Sequence, residues 1–144
     1  MENKPLMLMI HHTHREWKKY MQKLALESGI PDSYRMIIMY LDRNPGASQK
    51  DLAEHCQTTY ASVSQTIKDM LASGYIVKKN GEKDQRYKRI YLSEKGQAGV
   101  NRIKSKIHEA DQIITSALTP EKESDMIKQL ELLCETIRKE FTNL

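Results

Sequence analysis

Apolar positions three and four residues apart run through most of the chain, and that spacing predicts helices. From about Lys4 to Glu27 the stripe is Ile10, Trp17, Tyr20, Met21 and Leu24, and His14 can join it. Ser28-Gly29-Ile30-Pro31 ends this helix, because Gly suits a C-cap and Pro follows soon after. A second helix, Asp32 to Arg43, carries Tyr34, Ile37, Ile38 and Leu41 on one face, and Asn44-Pro45-Gly46 breaks it. Ser48 opens a short third helix with a capping-box pattern, Ser48-x-x-Asp51, and Leu52 and Ala53 point inward. Gln57-Thr58-Thr59 interrupts the rhythm. Thr59 then caps a fourth helix, Tyr60 to Ser73, with Val63, Ile67, Met70 and Leu71 inside and Gly74 as its C-cap.

The period switches after Gly74. Tyr75-Ile76-Val77 and Arg89-Ile90-Tyr91-Leu92 favour strands, and the polar stretch Lys78 to Lys88 contains Asn80-Gly81. An antiparallel hairpin with a long tip is predicted. Ser93 caps a long fifth helix with Val100, Ile103, Ile107, Ala110, Ile114 and Ala117 in near-heptad spacing. Thr119-Pro120-Glu121 starts a last helix bearing Met126, Leu130, Leu133, Ile137 and Phe141. Two short helices joined by a tight polar turn and followed by a basic hairpin make a winged helix-turn-helix. The predicted class is mainly α with a small β-hairpin wing.

At 144 residues the chain suits one domain, and 39% hydrophobic content is enough for a core. No run of about 18 apolar residues exists to span a membrane. The patch Leu6 to Ile10 lacks the basic region and cleavage site of a signal peptide. Cys56 and Cys134 stand far apart in no paired pattern, so a reduced, cytoplasmic setting is expected. No nucleotide-binding, metalloprotease or hydrolase motif occurs, so no enzyme and no cofactor are expected.

Charge changes the picture in one place. Lys78, Lys79, Lys83, Arg86, Lys88 and Arg89 face only Glu82 and Asp84, an excess equal to the +4 of the whole chain. Counterion release rewards such a patch against phosphate, and a narrow minor groove attracts an inserted Arg. The fourth helix offers Tyr60, Ser62, Ser64, Gln65 and Lys68, small or polar groups suited to a major groove. Gln65 is the best base reader among them, since an amide pairs bidentately with adenine. Taken alone, these residues read first as a solvated helix face. The basic wing that follows favours DNA.

Five stretches then carry a resemblance: Ser48-Gln49-Lys50-Asp51-Leu52-Ala53-Glu54-His55, Ser62-Val63-Ser64-Gln65, Leu71-Ala72-Ser73-Gly74-Tyr75-Ile76, Lys83-Asp84-Gln85-Arg86-Tyr87-Lys88 and Leu92-Ser93-Glu94-Lys95-Gly96. Together they resemble the MarR family of bacterial transcriptional regulators. Leu118-Thr119-Pro120-Glu121 fits the same layout. The resemblance implies that Arg86 enters the minor groove, oriented by Asp84. It implies that Thr59, Tyr60, Ser62, Ser64, Gln65, Lys68, Lys83 and Lys88 complete the DNA contacts. It also implies a homodimer on a pseudo-palindromic double-stranded operator, acting as a repressor. Residues 1–31 and 97–144 would form the dimerisation helices and 32–96 the DNA-binding lobe. In similar proteins a small molecule, often phenolic, binds between dimerisation helices and lobe. Trp17, Tyr20, Tyr34 and Tyr40 are the wall residues by position. Two departures from the family pattern are Tyr34-Arg35 at the start of the second helix and Gln57-Thr58-Thr59 before the recognition helix.

Two other readings share the fold. His11, His12 and His14, or Cys56 and Cys134, would serve a metal- or redox-responsive sensor, though packing and surface roles explain them as simply. A ligand-responsive module without DNA binding calls for a neutral wing, and this wing is basic.

Overall fold

The computed structural model describes residues 3–81, 83 and 88–142. The elements are α1 (Leu6–Ser28), α2 (Asp32–Arg43), α3 (Gln49–Cys56), α4 (Tyr60–Ala72), β1 (Ile76–Asn80), β2 (Lys88–Leu92), α5 (Glu94–Thr115) and α6 (Pro120–Phe141). The order matches the mainly helical, winged reading. The chain divides into two compact units, one up to Ser105 and one from Lys106 on. None of the described helices is long and apolar enough to cross a membrane.

In the first unit α1 ends as Gly29 requires. Gly29 adopts φ 71°, its N–H donates to the Leu26 carbonyl at 3.3 Å, and the Ile30 N–H donates to Ala25 at 3.2 Å. That pair of bonds is a Schellman cap, and it drives Ile30 into the core. Helix α2 lies at the centre, packed on α1, α3, α4 and β2. Its Ile37, Ile38 and Leu41 are buried with Leu52, Val63, Ile67, Met70, Ile76 and Ile90. The capping box at α3 forms in both directions: Asp51 N–H donates to Ser48 Oγ, and Ser48 N–H donates to Asp51 Oδ2. The Ser48 backbone N–H, and then its hydroxyl, bond to the Asp51 carboxyl and hold it below its ordinary pKa.

The hairpin register pairs Ile76 with Leu92 and Asn80 with Lys88. Strand β1 therefore runs three residues further than Val77, because Lys78, Lys79 and Asn80 still find ladder partners. A further bridge joins Ala47 to Ile90, so the segment before α3 adds a third, one-residue rung to the wing.

In the second unit Thr119 caps α6, accepting from the Lys122 N–H at 3.3 Å. Glu121 and Glu123 lie in its first turn, and Arg138 and Lys139 in its last, each matched to the helix dipole. No described residue of α6 is buried, and Met126, Leu130, Leu132, Ile137 and Phe141 are exposed.

Candidate nucleic-acid interface

Helix α3 ends on Gln57, in the left-handed region at φ 50° and ψ 44°. Its N–H donates to the carbonyls of Ala53 and Glu54, and the Thr58 N–H donates to Ala53 at 3.4 Å. Two residues later Thr59 Oγ1 accepts from the Ser62 N–H at 3.1 Å and starts α4. The Thr59 side chain is thus committed to the cap. Helix α4 buries Val63, Ile67 and Met70 and presents Tyr60, Ser62, Gln65 and Lys68 to solvent. Ser64 is half-buried. Gln65 Nε2 donates to Asp69 Oδ1 at 3.0 Å, which fixes the amide plane and leaves one amide N–H and the oxygen for another partner.

The hairpin sorts its basic residues by face. Lys78 pairs in register with buried Ile90, and Lys88 pairs with Asn80, to whose side-chain oxygen it also donates. Lys78, Lys88 and Ile90 line a groove of about 340 Å³ together with Ser48, Gln49, Lys50 and Tyr60. The opposite face is used internally: Lys79 lies 5.2 Å from the Tyr91 ring centroid, and Arg89 Nη1 donates to the Gly46 carbonyl at 3.2 Å. Three lysines and Tyr60 therefore converge beside the exposed start of α4. Lys78 belongs to the basic patch expected from the sequence; Lys50 is an addition, since only the folded hairpin brings it beside Lys78 and Lys88. Asp69 is the other addition, and its spacing of four from Gln65 signals the contact. Lys83 is exposed. Asp84 and Arg86 lie outside the described residues.

A lock at the base of the hairpin holds this surface. The Ser93 N–H donates to the Tyr75 carbonyl at 3.1 Å, Ser93 Oγ donates to Gly74 and accepts from the Gly96 N–H at 3.1 Å. Lys95 Nζ donates to the Ser73 carbonyl at 2.7 Å and lies 4.4 Å from the Tyr75 ring centroid. The run Leu92-Ser93-Glu94-Lys95-Gly96 is thus a clasp between the end of α4 and the start of α5.

A second concavity, of about 510 Å³, opens between α1, α2 and α3. Its walls include His14, Trp17, Lys18 and Met21 of α1, Asp32, Arg35 and Met36 of α2, and His55, Cys56 and Gln57. Of the four aromatic wall candidates, Trp17 lines it. Tyr20 packs on Trp17 at 5.4 Å between ring centroids, Tyr34 packs edge-on to Tyr75 at 5.5 Å, and Tyr40 stacks on His55 at 4.4 Å. His11 and His12 lie with ring centroids 6.3 Å apart. Among the described residues no three His, Cys, Asp or Glu side chains gather as a metal site. Burial pushes the Cys56 thiol pKa up, and Cys134 is exposed.

Comparison with known proteins agrees with this geometry. A model of the MarR family matches residues 28–86, which span α2 to the wing. The HTH-type transcriptional regulator BilQ of Clostridium symbiosum is 26% identical over 119 residues, covering 83% of this chain and 80% of that protein. The Staphylococcus aureus MepR–DNA complex superposes with a TM-score of 0.74 at 20% identity, over 95% of this chain and 99% of that one. A MarR transcriptional regulator from Methanosarcina mazei Go1 gives 0.75 at 24% identity, over 91% and 94%. These two likenesses establish the fold, while the family match and the curated relative concern regulators rather than enzymes. Over residues 28–86 the chain is similar to the MarR family of transcriptional regulators, and its fold is that of solved winged helix-turn-helix members.

Proposed function

We propose that the chain binds a pseudo-palindromic DNA operator as a homodimer, represses transcription in the cytoplasm, and is released by a small-molecule effector. The observation that carries the reading is the convergence of Lys50, Lys78 and Lys88 beside the exposed face of α4. Phosphates beside the groove take up the lysines, Lys68 among them, and α4 offers Tyr60, Ser62, Ser64 and Gln65 to base edges. Lys83, Asp84 and Arg86 belong to the wing and serve the flanking minor groove. The DNA-bound MepR relative supports this mode of use.

Dimerisation is assigned to residues 1–31 and 97–144, and DNA binding to 32–96. Leu6, Met7, Leu8 and Met9 are exposed in α1, as are Ile113, Ile114, Met126 and Leu130 further on. Apolar surface of that extent calls for a partner, and a symmetric operator calls for a symmetric one. Two copies of α4 would enter successive major grooves about 10 bp apart. The cavity bearing Trp17 is the effector site, with an apolar body and a cationic rim that fit a phenolic acid. Tyr20 packs on Trp17.

The test is selection from a random DNA pool followed by sedimentation of the free and bound protein. The expected outcome is an inverted repeat with half-site centres about one helical turn apart, bound by two chains. Retention of no sequence above background would defeat the reading.

A further inference from the structure

We propose that an occupant of the cavity between α1, α2 and α3 acts directly on the helix-turn-helix turn, within one DNA-binding lobe, by moving Gln57 out of its left-handed conformation. The inference rests on the effector reading above and gives it a lever.

Three consecutive residues, His55, Cys56 and Gln57, form the α3 wall of this cavity. They are the last turn and the cap of α3, and Thr59, only two residues on, caps α4. The cavity therefore abuts the hinge between the two helices that present the candidate DNA surface. Gln57 is the only residue other than glycine with positive φ among the described residues. An L-residue with a long side chain is strained there by about 1–2 kcal/mol, which lowers the cost of leaving this state. What holds the first state is the set of N–H bonds from Gln57 and Thr58 to the carbonyls of Ala53 and Glu54. A molecule that pushes on Cys56 or Gln57 trades those bonds for relief of strain. The Thr59 cap and the first turn of α4 then turn with it. Only the difference in affinity between the two states does this work.

The walls define the occupant. Trp17, Met21 and Met36 supply apolar surface, two of them adaptable thioethers. Lys18 and Arg35 supply cations, and Arg35 is fixed by its Nε bond to Asp32 Oδ1 at 2.9 Å. An apolar body with one anionic edge matches both.

Cys56 allows a test that needs no natural effector. In full-length Cys134→Ser protein, benzyl methanethiosulfonate at pH 8.5 forms a benzyl disulfide on Cys56 as methanesulfinate leaves. The mass shift counts the adduct, and Trp17, the sole tryptophan, reports cavity filling by its emission. The selected operator is then titrated by fluorescence anisotropy. The labelled protein is expected to bind at least tenfold more weakly, with full recovery in dithiothreitol. In the Gln57→Gly background, where the left-handed state carries no strain, the loss is expected to shrink below threefold. Complete labelling with altered Trp17 emission and operator affinity within twofold would overturn the inference. So would equal losses with and without Gln57→Gly, or a native thiol that stays unreactive for hours. If the benzyl group unfolds the chain, the smaller methyl adduct repeats the test under the same criteria. Failure of the unlabelled protein to bind any selected DNA defeats the underlying reading and is seen before any label is added.

Discussion

Gly96→Ala tests the clasp at the base of the wing. Gly96 lies in the first turn of α5, where alanine alone would be favoured by about 1 kcal/mol. A Cβ at this position would fall 2.1 Å from the Tyr75 carbonyl oxygen. An ordinary C···O contact is about 3.3 Å, so helix and carbonyl must part by roughly 1 Å. The carbonyl is not free to yield. It accepts the Ser93 N–H, and the Tyr75 N–H donates to Met70 at 2.9 Å. Separation strains two or three bonds, including those of Ser93 and Lys95, at about 1 kcal/mol each. Local overpacking adds about 1–3 kcal/mol. Set against the propensity gain, the net loss is about 2–5 kcal/mol. Urea unfolding at fixed protein concentration reads it, since an associating chain changes midpoint with concentration. The expected result is a lower midpoint with unchanged slope. Gly99→Ala is the control: its Cβ would meet Ile30 Cδ1 at 3.1 Å, a side-chain end that can swing away, so its loss is smaller. An unchanged or raised midpoint for Gly96→Ala would show that helix propensity governs this turn and that the clasp is not tight.

Further tests address DNA readout, salt dependence, the wing and acid stability. Gln65→Ala is expected to cost about 1–3 kcal/mol of operator binding and to relax one base position per half-site; an unchanged ratio of operator to random DNA would remove Gln65 as a reader. Lys50→Ala and Lys78→Ala should weaken all sequences alike, and each should flatten the slope of log K against log salt by about 0.9 per phosphate lost per subunit. Arg86→Lys should recover only part of the binding lost in Arg86→Ala, because a point charge lacks the planar fork. Asp84→Ala should weaken binding although it removes a negative charge, and tighter binding would show that Asp84 does not orient Arg86. Hydrogen bonds from Lys104 and Gln97 hold the Asp42 carboxyl below its ordinary pKa. Its contribution is therefore present above the unfolded value and lost as pH falls through the folded one, so Asp42→Asn should flatten the stability profile below about pH 5.

What could be read in advance was local, and what could not was the product of distant closure. The helices announced themselves through apolar spacing, and the Ser48–Asp51 capping box through residues three apart. Strand propensity ends β1 at Val77 because charged residues rarely continue a strand, yet Lys78, Lys79 and Asn80 have full ladder partners. The bridge from Ala47 to Ile90 joins residues over forty positions apart and has no local signature. The same holds for Lys50 and Lys78, whose meeting depends on the hairpin folding back against α3 and α4. Aromatic residues show the limit from the other direction. Trp17, Tyr20, Tyr34 and Tyr40 share ring chemistry, but α2 commits Tyr34 to Tyr75 and Tyr40 to His55, leaving Trp17 on the cavity. Periodicity identifies a face, while the neighbour across that face is chosen by the packing of another element. Gln57 gave a signal of a different kind: Gln57-Thr58-Thr59 departs from the family pattern before the recognition helix, and Gln57 sits in a left-handed cap. A departure from pattern at a hinge marks a place where stability has been given up, and such places are where a bound molecule has most leverage.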